Sequence, residues 1–392
     1  MTAAIIGGVG MTQFGKHLSR SMHDLASEAA RLALRDAGAT TSDVDMVVFS
    51  NAAAGLVTGQ EMIRGQTSLR DMGLGGLPYL NIENACAGGG TAVGVAQMAI
   101  ASGLADGVLV VGAEKLAHED KTVSFRALAA AVDVTENASS GEADVSPSRS
   151  VFMDIYAEKT RKYMAESGAT REDFADVTVK NRAAAALNPL AQFREGVTRE
   201  EVLNSRLICE PLTLLMCSPI GDGAAAIYVC SAKRARQLGV RAVLLRAVGL
   251  ASANDGGVAP SAVGRAADIA YAQAGIGPED IDVAETHDAS SPAEILSYEA
   301  LRFCKPLQGA AYFRSGATKI GGRLSVNPSG GLVGRGHPVG ATGVAQIVEL
   351  AQQLRGQSGS RQRPNARVAL AHVAGGQIAD DAAAAAISIL SL

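Results

Sequence analysis

The stretch Asn84-Ala85-Cys86-Ala87-Gly88-Gly89-Gly90 lies between a short strand pattern, Tyr79–Glu83, and a small-residue, helix-periodic run, Thr91–Ala101. Beyond that run, Asp106–Gly112 (DGVLVVG) is almost continuously apolar, the pattern of a strand buried on both faces. Together these pieces read as an α/β unit with Cys86 at its strand-to-helix turn. A helix N-terminus favours a thiolate through its dipole and unpaired N–H groups. The glycines let backbone amides approach whatever the sulfur attacks. A lone cysteine is more often an inert core residue, so a catalytic reading of Cys86 needs partners from elsewhere.

Working outward, the unit recurs. Ser21–Ala37 reads as an amphipathic helix closed by Gly38, followed by Asp43-Val44-Asp45 and the strand Met46–Ser50. Ser261–Ala284 repeats this order, with Gly275 and Asp282 each 237 positions after Gly38 and Asp45. Gly94-Val95-Ala96-Gln97 returns as Gly343-Val344-Ala345-Gln346 at an offset of 249. The repetition predicts two similar α/β halves, residues 1–245 and 246–392. Between the repeated blocks, residues 115–210 are polar and rich in helix signals, with capping boxes at Thr170–Asp173 and Thr198–Glu201. An insertion of this kind is expected to form a helical lid or binding surface. Near the N-terminus, Gly8–Gly15 fits neither phosphate loop. Gln13 stands at the third glycine of a dinucleotide fingerprint, and His17 stands at the P-loop hydroxyl.

The second half carries the polar cluster. A strand over Ile281–Ala284 ends at Glu285-Thr286-His287-Asp288, the glycine-rich loop Asn327–Gly343 holds His337, and a strand over Val368–Ala371 delivers His372 ahead of Gly375-Gly376. Three of the chain's six histidines therefore gather at the sheet edge where α/β proteins bind ligands. They face a duplicate-related cysteine, which favours a functional reading over a structural one. In the first half, Cys217-Ser-Pro-Ile-Gly-Asp222-Gly is a tight loop before the strand Ala224–Cys230.

Composition excludes several classes. With 47% apolar residues, 4% aromatics and no Trp, the core of these 392 residues is built from Ala, Val, Leu and Gly. A net charge of −4 without a Lys/Arg run gives no reason to expect a nucleic-acid partner. The five cysteines (86, 209, 217, 230, 304) contain no C-x-x-C pair, so neither a zinc cage nor a disulfide framework is expected. No signal-peptide pattern opens the chain and no apolar run reaches membrane-span length, so a cytoplasmic protein without a membrane span is expected.

The Cys86 turn, the CSPIGDGAAA loop, the His287-Asp288 turn and NPSGG…GHPVGATG together resemble the thiolase superfamily over nearly the whole chain. The branch most resembled is the sterol-carrier-protein-type and acetyl-CoA acetyltransferase-like thiolases. That resemblance implies a five-layered αβαβα fold, two α/β halves with facing active-site loops and an inserted helical region. It implies that Cys86 is the acylated nucleophile, that His337 activates it, and that His287 forms an oxyanion hole. Gly375 would pair its backbone N–H with that of Cys86 in a second oxyanion hole, with Cys217 and Ser329 among the substrate-binding residues. The chain departs from the family pattern at Ala289, where this branch carries a cysteine, and at Ser290, where it carries Phe. The C-terminal turn Ala371–Gly375 also lacks the second catalytic cysteine, which leaves His372, a water or the Cys217 loop to move the proton. The implied activity is CoA-dependent retro-Claisen cleavage of a 3-ketoacyl-CoA with a bulky or unusual acyl chain, with coenzyme A as co-substrate and no metal or other cofactor. The alternatives are a thiolase-like carbon–carbon lyase or acyltransferase working with a small zinc-ribbon/OB-fold acyl-CoA-binding partner, or a non-catalytic acyl-CoA carrier. A homodimer or larger homo-oligomer is expected, because apolar strands such as Asp106–Gly112 would otherwise leave a bare sheet edge.

Overall fold

Runs of small apolar residues with few polar interruptions become strands buried on both faces. The first half contributes β1 (Ala4–Met11), β2 (Met46–Ser50), β3 (Tyr79–Ile82) and β4 (Gly107–Glu114). After a two-stranded ribbon of β5 (Leu207–Cys209) and β6 (Leu212–Thr213), it ends with β7 (Gly223–Ser231). The second half contributes β8 (Val243–Ser252), β9 (Val283–Glu285), β10 (Ser325–Val326), β11 (Val368–Gly375) and β12 (Ala384–Ser391). These boundaries come from a computed structural model that describes residues 2–135, 149–254 and 259–392; the part of the expected insertion at 136–148 lies outside the described residues.

The strand order is β10-β9-β11-β12-β8-β1-β7-β4-β2-β3. Read outward from the β8/β1 junction, the two halves have the same order and the same senses. In each, a parallel trio (β3-β2-β4 or β10-β9-β11) is followed by two antiparallel strands. The duplication extends to single side chains. Asp45 Oδ2 accepts from the N–H groups of Asp106 and Gly107 at 2.8 Å each, and Asp282 Oδ2 accepts from Arg367 and Val368 at 2.8 and 3.1 Å. Each aspartate thus caps the start of the central strand of its half.

The layers follow from which faces the helices cover. Met22–Asp36 packs outside β1 and β7, and Ala262–Ala274 packs outside β8 and β12. Gly88–Ala101 and Val339–Arg355 lie between the halves, and every residue of the latter except Gln352 is buried. They cross where a Cβ on Gly343 would come within 2.5 Å of the Gly90 nitrogen, so the small-residue run is what lets the central helices touch. The five-layered αβαβα arrangement is therefore present. The halves are also hydrogen-bonded edge to edge, with β1 pairing β8 from Ala4↔Leu245 to Ile6↔Val243. The expected division between residues 245 and 246 consequently falls inside β8.

Two expectations are corrected. The strand containing Asp106–Gly112 is not a sheet edge: β4 lies between β2 and β7, and the edges are β3 and β10. An apolar run reports burial, which an internal strand satisfies as well as an edge. His372 does not follow its strand but lies within it, paired with Ile387, because β11 continues to Gly375. The insertion is helical as expected, with Val151–Ser167, Arg171–Ala186 and Arg199–Asn204, the last two starting at the two capping boxes.

Candidate active site

Cys86 sits in a short 3-10 turn, Ala85–Ala87, immediately before the central helix Gly88–Ala101. Ala85 adopts φ 47°, a left-handed conformation rare outside glycine, which presents the sulfur at the turn's apex. The turn rests on the end of β11. A Cβ on Gly375 would lie 2.3 Å from the Cys86 nitrogen and 2.7 Å from that of Ala87, so only glycine lets the two backbones approach.

From the other half, the turn after β9 brings His287 and the loop after β10 brings His337. The sulfur of Cys86 and one ring nitrogen of each histidine lie within 4.8 Å of one another. Among the described residues this is the one His/Cys/Asp/Glu cluster close enough to bridge a metal ion. The His287 and His337 rings meet edge to face at 5.0 Å, and His372 stands 6.4 Å from His287.

The hydrogen bonds assign ring protons. Thr342 Oγ1 donates to the Pro338 carbonyl at 2.9 Å, so at 2.7 Å it accepts from Nδ1–H of His337. That leaves Nε2 of His337 as a free base. Nδ1 of His372 accepts from the His287 backbone N–H at 3.4 Å, which puts the proton on Nε2, a buried group without a partner among the described residues. His372 is thereby a poised N–H donor.

Burial sets the charges. It pushes the imidazolium pKa down to about 4 at His287 and about 3 at His372, and well below the usual value at His337, where neighbouring His287 and Arg335 add to it. All three rings are neutral at pH 7. The Cys86 thiol is pushed up to about 12, first by burial and then by the Glu114 carboxylate, against a smaller opposing backbone hydrogen bond. The helix-terminus expectation of an acidic thiol is thus reversed: with no imidazolium nearby, desolvation wins. The resting pair is thiol and imidazole.

Two carboxylates fix the first-half loops. Glu114 accepts from Asn51 Nδ2 and from Gly340 N at 2.8 and 2.9 Å, tying β4 to the helix after His337. Asp222 of the Cys217 loop accepts from Lys115 Nζ and from the amides of Leu116 and Ala117, all at 2.8 Å. The second half has its own lattice. Asp288 accepts from Leu332 N and Asn181 Nδ2, while Glu294 accepts from Asn181, Asn327 and Lys180.

The N-terminal thiolase domain family matches residues 3–233, and the family described as thiolase C-terminal domain-like matches residues 249–390. The chain belongs to the thiolase family. It is 40% identical over 378 residues to an acetyl-CoA acetyltransferase of Methanothermobacter thermautotrophicus, covering 94% of this chain and 95% of that one. It is 37% identical over 380 residues to the benzoylsuccinyl-CoA thiolase subunit BbsB of Thauera aromatica, covering 95% and 94%. Among solved structures, one titled Ltp2-ChsH2(DUF35) aldolase superposes with a TM-score of 0.82 at 29% identity, covering 100% of this chain and 98% of that one.

Set against the thiolase pattern, the predicted site residues divide. Cys86, His287, His337, His372, Cys217 and Gly375 all line one cavity of about 1410 Å³. Ser329 does not reach it. The hydroxyl of Ser329 donates to Glu285 Oε2 at 2.6 Å, beside buried Arg335, so this serine of NPSGG braces the loop instead of binding substrate. The Cys217 thiol donates to the Thr213 carbonyl at 3.3 Å, and burial pushes its pKa up to about 12. The Cys217 loop pairs with the His287 turn through Ser218 N and the Ala289 carbonyl at 2.9 Å. No motif announced the aromatic wall: Phe14, Phe125, Phe152, Phe193, Tyr156 and Tyr163 line the cavity, in a chain with only 8 Phe and 7 Tyr.

Proposed function

We propose that this thiolase cleaves a 3-ketoacyl-CoA carrying a bulky or aromatic acyl group, by CoA-dependent retro-Claisen reaction through an acyl-Cys86 intermediate. The observation that carries the reading is the approach of the Cys86 sulfur to His287 and His337 within 4.8 Å, in a large aromatic-walled cavity. In this scheme Nε2 of His337 takes the thiol proton and the sulfur attacks the ketone. The His287 ring and Nε2–H of His372 supply hydrogen bonds to developing negative oxygen, and the Cys86 and Gly375 backbones frame a second such site. Lys16, Lys121, Arg149 and Lys162 on the cavity wall suit the phosphates of CoA. CoA is the second substrate, and a homo-oligomer is the working form.

A second reading is favoured by the aldolase title of the structural neighbour and by Ala289, which removes a proton-transfer thiol. It is a carbon–carbon lyase acting with a small acyl-CoA-binding partner of the zinc-ribbon/OB-fold kind.

Intact mass spectrometry after incubation with a panel of acyl- and 3-ketoacyl-CoAs tests both. The first reading expects an acyl adduct on Cys86, absent in Cys86→Ser, and cleavage that requires free CoA. Cleavage without CoA and without an adduct supports the lyase.

A further inference from the structure

The cleavage reaction releases an enolate that must be protonated, and the family's second cysteine is missing. His287, His337 and His372 are neutral at pH 7, and the Cys217 thiol is engaged with Thr213. Two hydroxyls that line the cavity, those of Ser218 and Tyr156, have no partner among the described residues, and of the two the phenol is the stronger acid.

Tyr156 lies on the helix Val151–Ser167 of the insertion and lines the cavity with Cys86 and the three histidines. It lies near Cys86 and Asp288. The buried tyrosines, by contrast, are all tied down. Tyr163 donates to Glu299 at 2.6 Å, Tyr228 to the Asp43 carbonyl and Tyr271 to the Leu301 carbonyl, both at 2.8 Å, and Tyr298 to Glu294. For Tyr156 the bonds show only its backbone carbonyl accepting from Thr160, and its hydroxyl has no partner among the described residues. Tyr156 is half-buried, so its free hydroxyl is open to the cavity and to whatever the cavity binds.

We propose that the hydroxyl of Tyr156 is the acid that protonates the departing enolate, in place of the missing cysteine. The inference rests on the retro-Claisen reading above. The thiolate of Cys86 adds to the ketone carbon, the bond from that carbon to the α-carbon breaks, and its electron pair stays on the acyl-CoA fragment as an enolate. Tyr156 gives its O–H proton to the α-carbon. The imidazolium of His337, which holds the proton taken from Cys86, returns one proton to the phenolate directly or through one water. Acyl-Cys86 and a neutral acyl-CoA remain, and no oxidant or further reactant is needed. Burial raises the phenol further above its ordinary value, so it is protonated at pH 7, which suits a donor in the cleavage direction.

Tyr156→Phe removes one oxygen and keeps the ring. Benzoyl-CoA acylates Cys86 without breaking a carbon–carbon bond, whereas benzoylacetyl-CoA requires the break; both are followed in single turnovers by quenched-flow and intact mass. The expected result is acylation by benzoyl-CoA within about twofold of the wild type and cleavage of benzoylacetyl-CoA slowed by roughly 10²–10⁴, the range of a lost general acid. Unchanged cleavage overturns the proposal, and so does an equal loss in both reactions, which would make Tyr156 a wall of the pocket. A wild-type enzyme that forms no acyl-Cys86 with either thioester overturns the thiolase reading itself, a result separate from any effect of Tyr156→Phe.

Discussion

At Cys86 a helix N-terminus and a water-poor pocket act on one sulfur with opposite signs. The pocket prevails, with its thiol near 12, because Glu114 adds negative charge nearby and the three imidazoles carry none. Its alkylation by iodoacetamide, followed by peptide mass in the free enzyme, is therefore expected to rise about tenfold per pH unit from 7 to 10 without levelling. A plateau below pH 8 would mean a preformed thiolate–imidazolium pair. The position of Cys86 was readable in its sequence, because a turn between strand and helix is a local pattern. The direction of its pKa was not, since it depends on Glu114 and on histidines 201 to 286 positions away that only the fold brings together. Tyr156 and Tyr163 were invisible for a similar reason: they belong to an insertion without a motif, and only the fold brings them to the cavity.

At the scale of the elements, loops carry the chemistry and buried ions hold the loops. The duplicated helix–turn–strand blocks could be read because repetition puts Asp45 and Asp282 at matching positions, where each caps a strand. The bracing contacts could not be read, because Lys115 and Asp222 are 107 positions apart and nothing in either local sequence names the other. That pair is almost fully removed from water, with side-chain exposures of 8% and 0%. Asp222→Ala would leave the buried Lys115 ammonium without its counter-charge and the amides of His17, Leu116 and Ala117 unpaired, and the cost is expected to be about 3–5 kcal/mol. Urea unfolding should show it as a lowered midpoint with an unchanged slope. A shift below about 1 kcal/mol would mean that water enters to solvate Lys115. The same logic applies to Ser329: the family resemblance implied a substrate-binding residue, yet its hydroxyl is used by Glu285 and Arg335.

For the whole molecule, the continuous sheet has two edges, and they are finished differently. At β10 the two residues are buried, and Lys180 Nζ donates to the Val326 carbonyl at 2.8 Å, so the insertion covers that end. At β3 the strand pairs only with β2, and Leu80 on it is 41% exposed. Nearby segments of the same half leave Met62 78% and Met98 58% exposed. A bare parallel edge beside exposed large apolar side chains is a surface that soluble proteins seldom leave open, and a second copy of this chain pairing edge to edge would cover it on both partners. Sedimentation at micromolar concentration is therefore expected to show a dimer, and Leu80→Glu combined with Met98→Glu should weaken it roughly tenfold to a hundredfold by placing like charges across a twofold contact. Unchanged sedimentation of the double variant would move the interface away from β3. A wild-type monomer would leave β3 solvated, and would then require its short length to be what prevents association.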